Sequence, residues 1–276
     1  IENGRQPMTA CHEGYEYTIV YNGELYNTED LRQELLKHGV KFRTYCDTEV
    51  VLYAYIIWGE ECAAKLNGIY AFVVYDSKKE KAYLARDRFG IKPFFYTFVE
   101  GGLIFASELK AILAHPQVSP RLDYPGLWQL VYMMPVKEEG SAIFKDIYEL
   151  PPAAHGFYGP TPESPQGKLE ISKYWSLTAY ENRERKETII DTTRALLVDA
   201  IERQLVSDVP LCTFLSGGLD SSVITAVATQ KYKREGRQLA TYSFEHEGNK
   251  EHFKQTLFQP QSDDEYAVYL AQYLHT

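Results

Sequence analysis

A short apolar run, Pro210-Leu-Cys-Thr-Phe-Leu215, leads directly into Ser216-Gly-Gly-Leu-Asp-Ser-Ser222. No other stretch narrows the available folds as far. The run reads as a short buried strand, the glycines as a tight turn, and the residues through Val223 to about Lys233 as a helix. Consecutive glycines permit positive φ and a close approach of backbone. The first N–H groups of the following helix lack partners inside it and lie at the positive end of its dipole, which suits phosphate. Hydroxyls at Ser216, Ser221 and Ser222 add donors, and Asp220 can hold a magnesium ion against phosphate oxygens. The loop has no lysine, which separates it from G-x-x-x-x-G-K-[ST] phosphate loops. Ser216 also lacks the flanking glycines of the G-x-S-x-G nucleophile. The bland alternative is a serine-capped helix, but a cap needs one serine and three surround this turn.

The neighbourhood of the loop alternates helix and strand. An amphipathic helix carrying Ile189, Ile190, Leu196, Leu197, Ala200, Ile201 and Leu205 on one broad face precedes it. A strand, Leu239–Phe244, and a helix from Asp263 to about Leu274 follow. This order predicts the beginning of a parallel, doubly wound α/β sheet. About two strands are too few to cover both faces of such a sheet, so marginal stability is expected beyond about residue 188. Cys212, inside the predicted strand, reads as a small apolar filler.

The preceding residues have a different character. Tyr17–Tyr21 is a strand ending at Asn22-Gly23. Asn27 is placed to cap a helix with Leu31, Leu35 and Leu36 on its apolar side, and Gly39 closes it. A second helix spans Thr48–Trp58, with Val50, Val51, Ala54, Ile57 and Trp58 inward and Gly59 as its stop. Ile69–Tyr75, Lys81–Ala85, Pro93–Phe98 and Leu103–Ala106 read as an antiparallel meander, and Ser107 as the cap of a short helix to Ala114. Residues 116–170 are broken by prolines, and strand character returns at Lys168–Trp175. Two helices against a long antiparallel sheet predict a layered α+β domain over residues 1–178. The charged, aperiodic residues 179–187 read as a linker, and the α/β domain occupies 188–276.

The net charge of −9, with no basic stripe, argues against a nucleic-acid surface. No apolar run approaches the roughly 18 residues of a membrane span. Cys11, Cys46, Cys62 and Cys212 form no C-x-x-C pair, which fits reduced thiols in a cytoplasmic protein. The chain starts at Ile1 without an initiator methionine, so it is expected to be an internal portion of a longer protein.

Two upstream stretches carry chemistry. In Asn22-Gly-Glu-Leu-Tyr-Asn27 a side-chain amide beside a glycine N–H can form an oxyanion hole, or the stretch is a turn before a capped helix. Asp47, in Cys46-Asp-Thr-Glu49, either caps the second helix or holds a substrate ammonium group.

These motifs together carry a family resemblance. Ser216–Ser222 resembles the pyrophosphate loop of the ATP pyrophosphatases, whose domains are of the adenine nucleotide alpha hydrolase type. Asn22–Asn27, Asp47-Thr-Glu-Val50, Asn67–Phe72, Ala85-Arg-Asp-Arg-Phe-Gly-Ile-Lys-Pro93 and Ser107–Ala111 stand in the order seen in class II glutamine amidotransferases. With Ser207–Pro210 and the loop, the chain resembles the glutamine-hydrolysing asparagine synthetases along nearly its whole length. The resemblance implies a layered αββα amidotransferase domain before the synthetase domain, and it is compatible with a homodimer. The substrates it implies are L-glutamine, L-aspartate and ATP, with Mg²⁺. Asn22, Gly23 and Glu24 match the oxyanion and glutamine contact, and Asp47 the acid that binds the glutamine α-amino group. Leu215 matches a backbone contact to ATP, and Ser216, Gly217, Gly218, Asp220, Ser221 and Ser222 the pyrophosphate site. Ser243 and His246 match the edge that meets adenine. Arg86, Asp87 and Arg88 read as a buried ion-pair cluster holding the sheet and the domain interface.

The family's nucleophile is an amino-terminal cysteine with its free amine as base. None of the four cysteines matches it, and the family's carboxylate-binding arginine and aspartate-binding motifs are absent. By themselves, these 276 residues are expected to hydrolyse no glutamine and make no asparagine. A cyclase of the β-lactam synthetase type and a non-catalytic nucleotide- or partner-binding module are the competing readings.

Overall fold

Side-chain alternation builds the strand Tyr15–Leu25 (β2). Its odd-numbered residues Tyr17, Ile19, Tyr21 and Leu25 enter one buried cluster, while Val20 packs against another on the opposite face. The computed structural model describes residues 4–133, 138–165, 167–207, 209–244 and 264–276. The chain divides into two units, Ile1–Ala179 and Tyr180–Thr276.

In the first unit, β2 pairs antiparallel with Met8–His12 (β1) and Gly68–Asp76 (β3). Lys81–Arg86 (β4), Ala154–Gly159 (β8) and Lys168–Lys173 (β9) complete a six-stranded sheet in the order β1-β2-β3-β4-β8-β9. Phe95–Val99 (β5), Gly102–Ala106 (β6) and Ile147–Glu149 (β7) form a separate three-stranded sheet in the order β6-β5-β7. The predicted meander therefore splits after β4. The break falls at Asp87–Phe94, where Gly90 takes φ +64° and the chain leaves one sheet for the other.

The helices Thr28–Lys37 (α1) and Asp47–Trp58 (α2) cover one face of the larger sheet. The smaller sheet covers the other through Leu84, Phe94, Tyr96 and Leu150. On its far side Phe95 and Ile147 pack with Leu109–Leu113 (α4), giving layered α+β architecture with helices outside and sheets inside. Two short helices, Cys62–Lys65 (α3) and Tyr124–Trp128 (α5), complete this unit.

Several local expectations change. The Asn27 side chain caps no helix; it spans a gap, donating to Lys65 O at 3.0 Å and accepting from Asn67 N at 2.9 Å. Leu36 is exposed, and Ile57 and Trp58 are only partly buried because α2 buries Leu52 and Tyr55 instead. Ser107 does not cap α4, whose cap position is Glu108.

Arg86, Asp87 and Arg88 form a structural hub. The Arg86 guanidinium meets Glu149 at 2.8 Å and donates to the carbonyls of Gly90, Lys92 and Leu150. Asp87 accepts from the N–H groups of Tyr70, Phe89, Ile91 and Lys92, and Arg88 donates to Ala64 and Leu66 carbonyls. The expected ion-pair cluster reduces to the Arg86–Glu149 pair, with backbone groups satisfying the rest.

The cysteines are free, and only Cys62 is fully buried. Burial pushes its thiol up to about 12, above the usual thiol range. A disulfide-exchange reagent is expected to label the exposed Cys11 and Cys212 quickly in native protein, and Cys62 only after unfolding. Rapid native labelling of Cys62, read by mass spectrometry, would contradict this packing.

In the second unit, Lys186–Gln204 (α6) begins inside the stretch read as linker. Cys212–Phe214 (β10) leads to Leu219–Arg234 (α7), and Ala240–Tyr242 (β11) pairs parallel with β10. Asp264–Leu274 (α8) follows. The apolar face of α6 is largely exposed: Ile190, Leu196 and Leu197 face solvent and only Ile201 is buried. Nor is β10 a buried strand, since Cys212 and Phe214 are exposed. The sheet has two described strands, which cannot cover both faces, so Cys212 fills no core. Tyr232, Ala228 and Leu239 form the local buried cluster. No described helix is long and apolar enough to cross a membrane.

Candidate functional site

The upstream site forms where β2 outruns β1. Their pairing ends at Met8↔Ile19, and among the described residues no strand pairs with the rest of β2 on that side. At Tyr21 the side chain of Gln6 takes the place of a strand: Oε1 accepts from Tyr21 N at 2.6 Å and Nε2 donates to Tyr21 O at 2.9 Å. Successive residues alternate the edge to which their backbone groups point. The N–H and C=O of Gly23 therefore point to the same open edge as those of Tyr21. At Leu25 the N–H on that edge donates to Asp47 Oδ2 at 3.2 Å. A one-residue slot results, bounded by the Gln6 amide and the Asp47 carboxylate.

Gly23 is required there by close approach. A Cβ at this position would stand 2.5 Å from Ile69 O, 2.8 Å from Tyr70 Cβ and 2.9 Å from Tyr21 Cζ. Asn22 and Glu24, on the alternate face, are exposed. The Asn22 Nδ2 donates to Ser107 Oγ at 3.0 Å, so Ser107 bridges to β2. Gln6, Tyr21, Asn22, Phe105 and Ser107 line part of a cleft of about 190 Å³.

Asp47 opens α2 but caps nothing; the cap position is Cys46. Its Oδ2 accepts from Tyr21 OH at 2.9 Å as well as from Leu25 N. Burial, reinforced by this carboxylate, raises the Tyr21 phenol well above its ordinary range and keeps it a donor. Asn22 and Asp47 thus approach the end of β2 from opposite faces, with Gly23 between them. The Cys46 thiol lies 3.1 Å from Thr44 Oγ1, and Cys62 is in the helix–sheet core. Sequence reasoning missed Gln6, which carries no local signal, and read Ser107 as a cap. Tyr21 was visible only as a strand residue.

The downstream site is the turn between β10 and α7. Leu215 N donates to Tyr242 O at 2.8 Å and Ser243 Oγ donates to Leu215 O at 2.6 Å, tying the two strand ends together. Gly217 takes φ +88° and Gly218 is the helix cap position. Ser222 Oγ donates to Gly218 O at 2.7 Å, and Ser221 Oγ donates to it at 3.1 Å. The Ser216 and Ser221 hydroxyls pair across the turn at 2.9 Å. The N–H groups of Leu219, Asp220 and Ser221 open the helix, where no intrahelical acceptor exists. Below them, Thr225 Oγ1 donates to Thr213 Oγ1 at 3.0 Å and fixes α7 to β10. Leu215, Ser216, Gly217, Gly218, Asp220, Ser221, Ser222 and Ser243 therefore come together, while His246 and Asp263 lie outside the described residues.

Asp220 is exposed in the first turn of α7. Among the described residues no group of three or more His, Cys, Asp or Glu side chains could hold a metal ion. One exposed carboxylate at the start of α7 is a ligand type that a magnesium ion would accept.

Residues 1–175 match the family model of the glutamine amidotransferase domain, and residues 192–276 that of asparagine synthase. Asparagine synthetase (glutamine-hydrolyzing) 3 of Bacillus subtilis (strain 168) is 48% identical over 264 residues, covering 95% of this chain and 42% of that protein. Asparagine synthetase (glutamine-hydrolyzing) 1 of the same organism is 34% identical over 250 residues, covering 90% and 38%. The chain spans less than half the length of these relatives. A solved structure of glutamine phosphoribosylpyrophosphate amidotransferase from B. subtilis, complexed with ADP and GMP, aligns with a TM-score of 0.43 at 15% identity over 91% of this chain and 53% of that one. With the first match extending over more than half of its residues and the second following it, this chain belongs to the glutamine amidotransferase family, in the group whose amidotransferase domain precedes an asparagine synthase domain.

Proposed function

We propose that the chain supplies the glutamine pocket and the pyrophosphate loop of a glutamine-dependent asparagine synthetase. One observation carries most of this reading: the edge slot at Gly23 and the Ser-Gly-Gly turn opening α7 occur in order on one polypeptide. In the first unit Asp47 holds the α-ammonium group of glutamine. Asn22 Nδ2 and the Gly23 N–H stabilise the oxyanion that forms on the side-chain amide, and Glu24 completes the contact. Hydrolysis through a thioester yields glutamate and ammonia, with the attacking thiol supplied by none of Cys11, Cys46, Cys62 and Cys212.

In the second unit Ser216, Gly217, Gly218, Ser221 and Ser222 hold the β- and γ-phosphates of ATP. Asp220 would hold the Mg²⁺ that accompanies them, the Leu215 backbone contacts the nucleotide, and Ser243 lies at the edge that takes adenine. The aspartate side-chain carboxylate attacks the α-phosphorus and pyrophosphate leaves. Ammonia then attacks the acyl carbon of the aspartyl adenylate, releasing asparagine and AMP. Before phosphate can bind, the Ser216–Ser221 hydroxyl pair must open, so these groups exchange one partner for another at little cost.

Calorimetric titration of the 276-residue chain with MgATP tests the second unit. Gly217→Val forces a β-branched residue to φ +88°. It is expected to weaken nucleotide binding by about tenfold, on the scale of such backbone strain. Unchanged affinity in a variant of unchanged helix content would overturn the assignment of the loop.

A further inference from the structure

Tyr21, Gly23 and Leu25 share one face of β2, the face that meets the start of α2. Because Gly23 has no side chain, the Tyr21 ring can lie along the strand above it; a Cβ there would stand 2.9 Å from Tyr21 Cζ. The ring thereby delivers its hydroxyl to Asp47 Oδ2 at 2.9 Å. The Leu25 N–H reaches the same oxygen at 3.2 Å. Both donors converge on Oδ2, which leaves Oδ1 outside these two hydrogen bonds. The backbone of Tyr21 is itself held at both its N–H and its C=O by the Gln6 amide, which limits how far the ring can shift. A buried aromatic ring with two side-chain torsions is a stiff support, and a hydrogen bond to a carboxylate is among the stronger ones.

We propose that Tyr21 is a positioning residue: its hydroxyl holds the Asp47 carboxylate in the orientation that presents Oδ1 to an α-ammonium group at the Gly23 slot. The inference rests on the reading of Asp47 as the ammonium-binding acid. It adds that preference for an α-amino acid over the same molecule without its amino group depends on a tyrosine that acts through Asp47.

The test compares two ligands on the full 276-residue chain: L-glutamine and 4-carbamoylbutanoate, which lacks only the amino group. Affinities are read by NMR titration for the unaltered chain, Tyr21→Phe and Asp47→Asn. The unaltered chain is expected to prefer glutamine, and Asp47→Asn to bring the two affinities close together. Tyr21→Phe keeps the ring and is expected to shrink the preference by about tenfold while leaving 4-carbamoylbutanoate binding unchanged. That second affinity reports that the fold and slot are intact. An equal loss for both ligands would reduce Tyr21 to a packing residue and overturn the proposal, as would an unchanged preference. If Asp47→Asn kept the full preference for glutamine, the reading of the pocket would fall, and the role of Tyr21 with it.

Discussion

Gly23→Ala is expected to destabilise the first unit by about 3 kcal/mol, at the upper end of the overpacking range. Two of its three close contacts are with β3, one of them a backbone oxygen, Ile69 O. That oxygen cannot retreat alone, because Gly23↔Tyr70 is flanked by Asn22↔Ala71 and Glu24↔Ile69 in one continuous register. The third contact is the Tyr21 ring, whose displacement would also remove the hydroxyl from Asp47. The melting temperature of the first unit should fall by about 10 °C, following the size scaling of thermal unfolding. Glutamine affinity should be lost with it. A calorimetric midpoint within about 2 °C of the unaltered protein would show that β3 yields more easily than a paired strand should.

The other large effect belongs to Arg86. Its guanidinium joins β4, the Gly90 turn and Leu150, and thus links both sheets of the first unit. Arg86 and Glu149 are both nearly inaccessible, at 5% and 7% exposure, so water cannot replace a lost partner. Arg86→Met is therefore expected to cost about 3–5 kcal/mol, the usual result of breaking a buried pair on one side. That is a large share of the about 5–15 kcal/mol that holds a domain together. Urea unfolding followed by tyrosine fluorescence would report the shift. Adding Glu149→Gln to Arg86→Met should restore part of the loss, because no unmatched buried charge then remains. If the double variant were no more stable than the single one, the carbonyl contacts, not the charge, would carry the effect.

The physical signals that a sequence displays are the local ones. The first unit's helices α1 and α2 and its strands β2 to β6 were readable because their apolar periods are long, as in Ile69–Tyr75 and Val50–Trp58, whereas β1, β7 and β8 were not assigned. The assignment of strands to sheets was not. β4 and β5 look like neighbours in sequence, yet β4 pairs with β8, more than sixty residues on. β8 is itself poorly marked: it contains Gly156, where a Cβ would collide with Glu170 O, so close approach of β9 set the residue against strand propensity. In the second unit the Ser-Gly-Gly turn was fully readable, because its chemistry is contiguous. The apolar residues of α6 predicted a buried face that the described residues do not cover, since apolar patterning reports a tendency to be covered and not what covers it.

The candidate site divides in the same way. Asn22, Gly23, Asp47 and the loop residues announced themselves through motifs. The supports did not: Ser107 reaches Asn22 across 85 residues and Gln6 reaches Tyr21 across 15. Such partners are set by topology, and single-residue propensities carry no trace of them.

The Gln6 amide has one more consequence. A bare stretch of β2 would be a template on which a strand of another molecule could add, the usual route to edge-to-edge aggregation. With Gln6 covering Tyr21 and Asp47 covering Leu25, the backbone of this edge left uncovered by the described residues shrinks to Gly23. That is too short to recruit a foreign strand. The same two side chains that bound the Gly23 slot therefore act as a guard against misassembly.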